Sequence, residues 1–121
     1  MSEADNLRQR LNRASEINLS VKGRKSGRHL SRPVWFVHEG NTAYLLPVHG
    51  SDTSWYKNML VDSTLKISVN GGGGETALIG KPITDKNSID DVVRKFESKY
   101  GKGDVKKYYT RFDVAVEVQL L

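Results

Sequence analysis

The stretch Gly23-Arg24-Lys25-Ser26-Gly27-Arg28 sets three cations and a hydroxyl between and after two glycines. Glycine permits a tight turn and a close approach of a ligand to the backbone. N–H, O–H and charged donors can then converge on one small volume. Guanidinium groups match phosphate oxygens two at a time, and lysine adds a point charge. The chemistry implied is the holding of an anion; the alternative is a solvated hairpin turn. The segment is not a Walker A loop, which needs a four-residue spacer and a Gly-Lys-Ser/Thr ending. Nor is it the three-glycine dinucleotide fingerprint.

Other reactive residue types are placed less pointedly. His29, His38 and His49 stand at strand-and-turn distances with no Asp or Glu at metal-ligand spacing, so no metal site is expected. No serine lies in a Gly-x-Ser-x-Gly elbow. Cysteine is absent, which removes disulfides, thiolate catalysis and Cys-ligated zinc. Asp90-Asp91 reads as helix-end charge rather than a hydrolytic carboxylate pair, and the Gly71–Gly74 run as a hairpin tip.

Strands must flank the basic turn to present it. Ile17, Leu19 and Val21 alternate with polar residues, the period of a half-buried strand. A second strand is expected through Val34-Trp35-Phe36-Val37, a turn at His38–Asn41, and a third strand over Thr42–Val48. Asp52, Thr53 or Ser54 can cap a short helix carrying Trp55, Tyr56, Met59 and Leu60. Strands over Leu65–Val69 and Thr76–Ile83 follow. A strong amphipathic helix is expected next, with Ser88 as N-cap, Ile89, Val92, Val93, Phe96 and Tyr100 on its apolar face, and Gly101 ending it. Phe112, Val114, Val116 and Val118 alternate in a last strand. About six strands with short helices predict a mostly β (α+β) fold, a small barrel or curled sheet.

At 121 residues, residues 1–121 are expected to form one domain, with 1–16 as a short N-terminal helix or arm. No apolar run approaches a membrane span, and the first residues lack a signal peptide's apolar centre, so a cytoplasmic protein is expected. The net charge of +5 collects in residues 1–32 and 86–111, around a slightly acidic middle. Such a field is either a solvated surface or an attraction for anions.

The glycine-basic motif, the Pro33-containing segment, the Gly40 turn and the following strand resemble the deazaflavin (F420)-dependent nitroreductase family. That family belongs to the split β-barrel class with the FMN-binding, pyridoxamine-phosphate-oxidase-like proteins. Trp55-Tyr56-Lys57-Asn58 is similar to the family's Trp-Tyr-x-Asn helix start, and Thr110-Arg111 to its Arg before a Val-rich last strand. The resemblance spans about residues 17–121. It implies that Arg24, Lys25 and Ser26 contact the phosphate or polar tail of F420, or alternatively of FMN. Leu30 stands where family members carry an Arg, for which Arg28 or Arg32 could substitute. His49 and Gly50 lie in the loop where the family places cofactor contacts, although that loop is shorter here. Trp55, Tyr56 and Asn58 would shape the site. Tyr108 and Tyr109, or Tyr100, would line the substrate pocket, unless they pack the barrel edge or a subunit interface.

The function so implied is hydride transfer from reduced F420 to a quinone, nitro compound or similar small electrophile, by a homodimer of split-barrel type. A non-catalytic FMN- or F420-binding module is the alternative within the fold. Nucleic-acid binding through the basic ends is the alternative outside it, but the interleaved aromatic-basic strands of single-strand readers are absent.

Overall fold

The computed structural model describes residues 3–69 and 72–120. Seven strands form one sheet in the order β2-β1-β5-β6-β7-β4-β3. They are β1 (Ile17–Lys22), β2 (His29–Val34), β3 (Val37–Glu39), β4 (Thr42–Leu45), β5 (Thr64–Val69), β6 (Gly72–Ile83) and β7 (Ala115–Gln119). Every ladder is antiparallel. The long β6 joins two halves, pairing with β5 up to Ile79 and with β7 from Gly80. The result is a curled, open-edged sheet, the split barrel the sequence led us to expect.

Helices close the two faces: α1 (Glu3–Leu11), α2 (Ser54–Val61), α3 (Lys86–Tyr100) and α4 (Lys102–Tyr108), with a 3-10 turn at Gly50–Asp52. One core gathers Leu19, Phe36, Leu45, Met59, Leu65 and Ile67 under α1 and α2. A second gathers Ile89, Val92, Phe96, Val105 and Tyr109 between α3, α4 and the sheet. Alternation drives the first: β1 and β5 turn Leu19, Val21, Leu65 and Ile67 inward. No described helix is long and apolar enough to cross a membrane.

Several elements differ from expectation. The second strand lies earlier, at His29–Val34, and the chain leaves the ladder at Trp35-Phe36 before β3 begins. All of β2 but Val34 is exposed, so no apolar alternation marks it, and its edge position accommodates Pro33. The third strand stops at Leu45 and the last begins at Ala115, leaving Phe112 outside it. Asp85, not Ser88, caps α3: its carboxylate accepts from the Ser88 N–H at 3.0 Å. Helix α4, after Gly101, was not foreseen. Nor is the first helix a frayed arm, since Leu7 and Leu11 are buried in the core and Arg8 hydrogen-bonds Asn41. In the expected glycine tip, Gly71 lies outside the described residues, while Gly72–Gly74 already belong to β6.

Candidate functional site

The basic turn joins β1 to the exposed edge strand β2. Gly23 N–H donates to the Arg28 carbonyl (2.7 Å) and Gly27 N–H to the Gly23 carbonyl (2.9 Å), closing the bend. Gly27 sits at φ +72°, where a side chain would strain the backbone. The Ser26 hydroxyl oxygen accepts from Arg28 N–H at 3.2 Å, which leaves its own proton to donate outward.

The turn is fastened to α2 by one buried side chain. Asn58 Oδ1 accepts from both the Arg24 backbone N–H (3.1 Å) and Arg24 Nη1 (2.7 Å). Arg24 Nη1 also reaches the Ser54 carbonyl at 3.5 Å. Asn58 is 3% exposed, and Trp55, Tyr56 and Met59 of the same helix enter the core. A buried amide oxygen requires partners, and here both come from one arginine. Lys25 and Arg28 remain exposed, and among the described residues neither side chain has a hydrogen-bond or ion-pair partner. An open hollow of about 620 Å³ lies over the turn, bordered by Lys22, Lys25, Ser26, Val61, Asp62 and Ser63, with the Asp62 carboxylate accepting from Thr64 N–H at 3.1 Å.

A second cluster forms at the opening turn of α2. His49 N–H donates to Thr53 Oγ1 at 2.8 Å, so Thr53 sits at the N-cap position without capping the helix. The His49 ring lies 2.8 Å from Thr110 Oγ1 through Nδ1. Gly50, at φ +58°, packs so closely on Asp113 and Arg111 that a Cβ would overlap the carboxylate. The Ser51 N–H and hydroxyl donate to Asp113 at 2.9 and 2.5 Å, and these bonds hold its carboxyl below the ordinary range. Lys57 does the same for Asp52 across 2.8 Å. Arg111, which approaches Asp113 at 3.6 Å, keeps an exposed guanidinium.

The structure therefore brings the Arg24, Lys25, Ser26 turn against Asn58 and the far end of α2, whereas His49 and Gly50 stand at the start of that helix, outside the hollow at the turn. Asn58 Oδ1 is taken up by Arg24, and through that oxygen Asn58 positions the turn. Trp55 and Tyr56 shape the site only from beneath, as core residues. Arg32 stands three residues along β2 from His29, about 10 Å by strand rise, and no contact joins it to the turn. Tyr109 is buried at 4% exposure against Phe96, Trp35 and Phe112, and that burial drives its phenol well above the ordinary range. Tyr108 stacks on Trp35 at 4.7 Å, half exposed, with Tyr100 on the other face of the indole at 4.3 Å. Tyr109 therefore serves packing rather than a substrate surface. Arg111 and the Asn58 fastening were missed as site features, although the Thr110-Arg111 motif pointed at the first.

Residues 8–118 match the model of a family described as "Uncharacterized protein conserved in bacteria (DUF2255)". No curated protein matches by sequence. Among solved structures, the chain is similar to an F420-H2 dependent reductase (16% identity, 87% of this chain and 94% of that one, TM-score 0.63). It is also similar to a putative pyridoxamine 5'-phosphate oxidase from Listeria innocua (12% identity, 97% and 92%, TM-score 0.70). A third likeness is to HutZ, a heme storage protein from Vibrio cholerae (11% identity, 98% and 90%, TM-score 0.69). At these identities the likeness is one of fold, the pyridoxamine-phosphate-oxidase-like split barrel.

Proposed function

This chain belongs to the bacterial DUF2255 family, and from that premise we propose that it is a flavin- or deazaflavin-binding oxidoreductase whose Gly23–Arg28 turn holds the cofactor's phosphate. The reading favours F420 over FMN, because the glycine-basic turn and the Trp-Tyr-x-Asn helix start occur together, and one of the similar folds is an F420-H2 dependent reductase. The acceptor is taken to be a quinone, nitro compound or similar small electrophile.

One observation carries the proposal: a buried asparagine holds the turn, while Lys25 and the Ser26 hydroxyl stay uncommitted at an open hollow and Arg28 ends the turn with an exposed, unpaired guanidinium. That donor set fits a phosphate, and a solvated hairpin would not need a buried clasp from 34 residues away. Lys25 and Arg28 would bind the phosphate oxygens, Ser26 would donate to them, and Arg24 would add charge from its fixed position. The bound cofactor supplies the hydride. The chain orients it and screens it from water.

The same reading takes the protein as cytoplasmic and as a homodimer. The exposed β2 edge and the exposed Leu30, Leu60, Val61 and Ile79 offer unpartnered apolar surface for a second copy.

Titrating F420 and FMN separately into the purified chain, then adding menadione or a nitroaromatic to the F420-H2 complex, tests the reading. Saturable F420 binding with oxidation on adding acceptor supports it. Binding without oxidation makes the chain a carrier module, and salt-sensitive DNA retention without cofactor uptake contradicts it.

A further inference from the structure

A site for a bare anion has no use for a carboxylate, yet one stands in the hollow at the basic turn. Asp62 lines that hollow together with Lys22, Lys25 and Ser26. Part of its role is local. Asp62 ends α2, where its N–H donates to the Asn58 carbonyl at 3.1 Å. Its Oδ1 accepts from Thr64 N–H at 3.1 Å, a side-chain turn that leads the chain into β5. Oδ2 has no partner among the described residues.

The neighbouring cations do not take up that oxygen. Lys22 and Lys25 border the same hollow, and among the described residues neither forms an ion pair with Asp62. Asn58 fixes both sides: its carbonyl holds Asp62, and its Oδ1 holds Arg24 of the turn. Opposite charges therefore face one space without neutralising each other across it. The cations suit a phosphate, and the spare carboxylate oxygen suits a hydrogen-bond donor on the same ligand. Phosphate oxygens that have lost their protons only accept, whereas a hydroxyl on an adjoining carbon donates.

We propose that Asp62 is a specificity residue of this site. Its Oδ2 accepts a hydrogen bond from a hydroxyl beside the bound phosphate, so the hollow selects phosphate esters of polyols over inorganic phosphate. The inference rests on the reading of the turn as a cofactor-phosphate site. The ribityl chain next to the phosphate of F420, and of FMN, carries such hydroxyls. Lys25 and Ser26 hold the phosphate, Asp62 fixes the direction in which the chain leaves it, and the exposed Val61 gives the chain's carbons an apolar wall.

Amide NMR titrations with inorganic phosphate, ribitol 5-phosphate and F420 test this at about pH 8, above the second phosphate ionisation. The wild type should bind ribitol 5-phosphate about tenfold more tightly than inorganic phosphate. Asp62→Ala should shift the ligands in opposite directions. Inorganic phosphate should gain about twofold, because a like charge is gone, while ribitol 5-phosphate and F420 lose about tenfold. Asp62→Asn, whose amide oxygen can still accept from Thr64 N–H, guards against a lost turn and should show the same opposed shifts. A merely structural Asp62 would move all three ligands one way. Parallel shifts, unchanged affinities in both variants, or equal wild-type affinity for phosphate and ribitol 5-phosphate overturn the proposal. A wild type that shows the opposed pattern with the two small probes but binds neither F420 nor FMN sinks the cofactor reading alone; one that binds none of these ligands sinks both.

Discussion

Two regions of this molecule concentrate side chains of the kind found in active sites, and they use them in opposite ways. Around Trp35 and Phe36, where the chain leaves β2, aromatic rings and cations are bound to one another. Tyr100 and Tyr108 sandwich the indole, and Phe96 and Tyr109 pack edge to face behind it. The Tyr100 hydroxyl accepts from Phe36 N–H (3.0 Å) and reaches the Phe36 and Ser15 carbonyls. Lys99 donates to the Phe36 carbonyl at 2.9 Å and lies over its ring, and burial pulls its ammonium below the ordinary range. The Gly23–Arg28 turn, by contrast, is closed by its own backbone bonds and fastened through Arg24 to Asn58 and Ser54, and leaves the Lys25 and Arg28 side chains facing water. Chemical richness marks both regions. Uncommitted donors mark only one as a place for a ligand.

Substitutions can break that contrast, and the largest effect is expected in the aromatic block. Phe96→Ala removes a fully buried ring and should cost about 3–5 kcal/mol in urea denaturation. F420 affinity, measured where the variant stays folded, should not change. At the turn the pattern should invert. Lys25→Ala with Arg28→Ala should leave unfolding within about 0.5 kcal/mol of wild type, while F420 affinity falls by about 2–3 kcal/mol, read by calorimetry. Asn58→Ala should fall between the two, because it leaves the Arg24 N–H without its partner and frees the turn. A stability loss of about 1–3 kcal/mol should accompany weaker binding. A turn variant that unfolds the protein but binds normally would erase the distinction.

The smallest effect is one of pH. Burial pushes the Tyr100 phenol up to about 12. Its folded pKa lies above the ordinary value of about 10, so its contribution is intact below that pH and is lost as pH rises through the folded value. Denaturation midpoints of wild type should therefore drop in that window more steeply than those of Tyr100→Phe.

What the sequence disclosed follows the same division. β1, β5, α3 and β7 were legible because each buries one face, and the inward residues recur at the period of the element. β2 was misplaced because its residues face solvent, so His29, Ser31 and Arg32 carry no alternation to read. The break at Trp35-Phe36 was hidden because both rings go inward where no ladder holds the backbone, anchored by Lys99 and Tyr100 from more than 60 residues away. Helix α4 buries Val105 alone, too little to leave a stripe. At the site, the local motif announced the basic turn. The Arg24–Asn58 pairing could not be read locally, although an asparagine among the core residues Trp55, Tyr56 and Met59 was a signal that something polar must meet it. Residue type could not separate Tyr109, which goes into the core, from Tyr108, which keeps an exposed face, because the two are neighbours in the chain.

Amide NMR of the chain during a titration with F420 addresses the central claim most directly. The account predicts that the Gly23–Arg28 amides and the first turn of α2 shift together and saturate with the binding isotherm. Saturable binding in which those amides stay still while others move would contradict it.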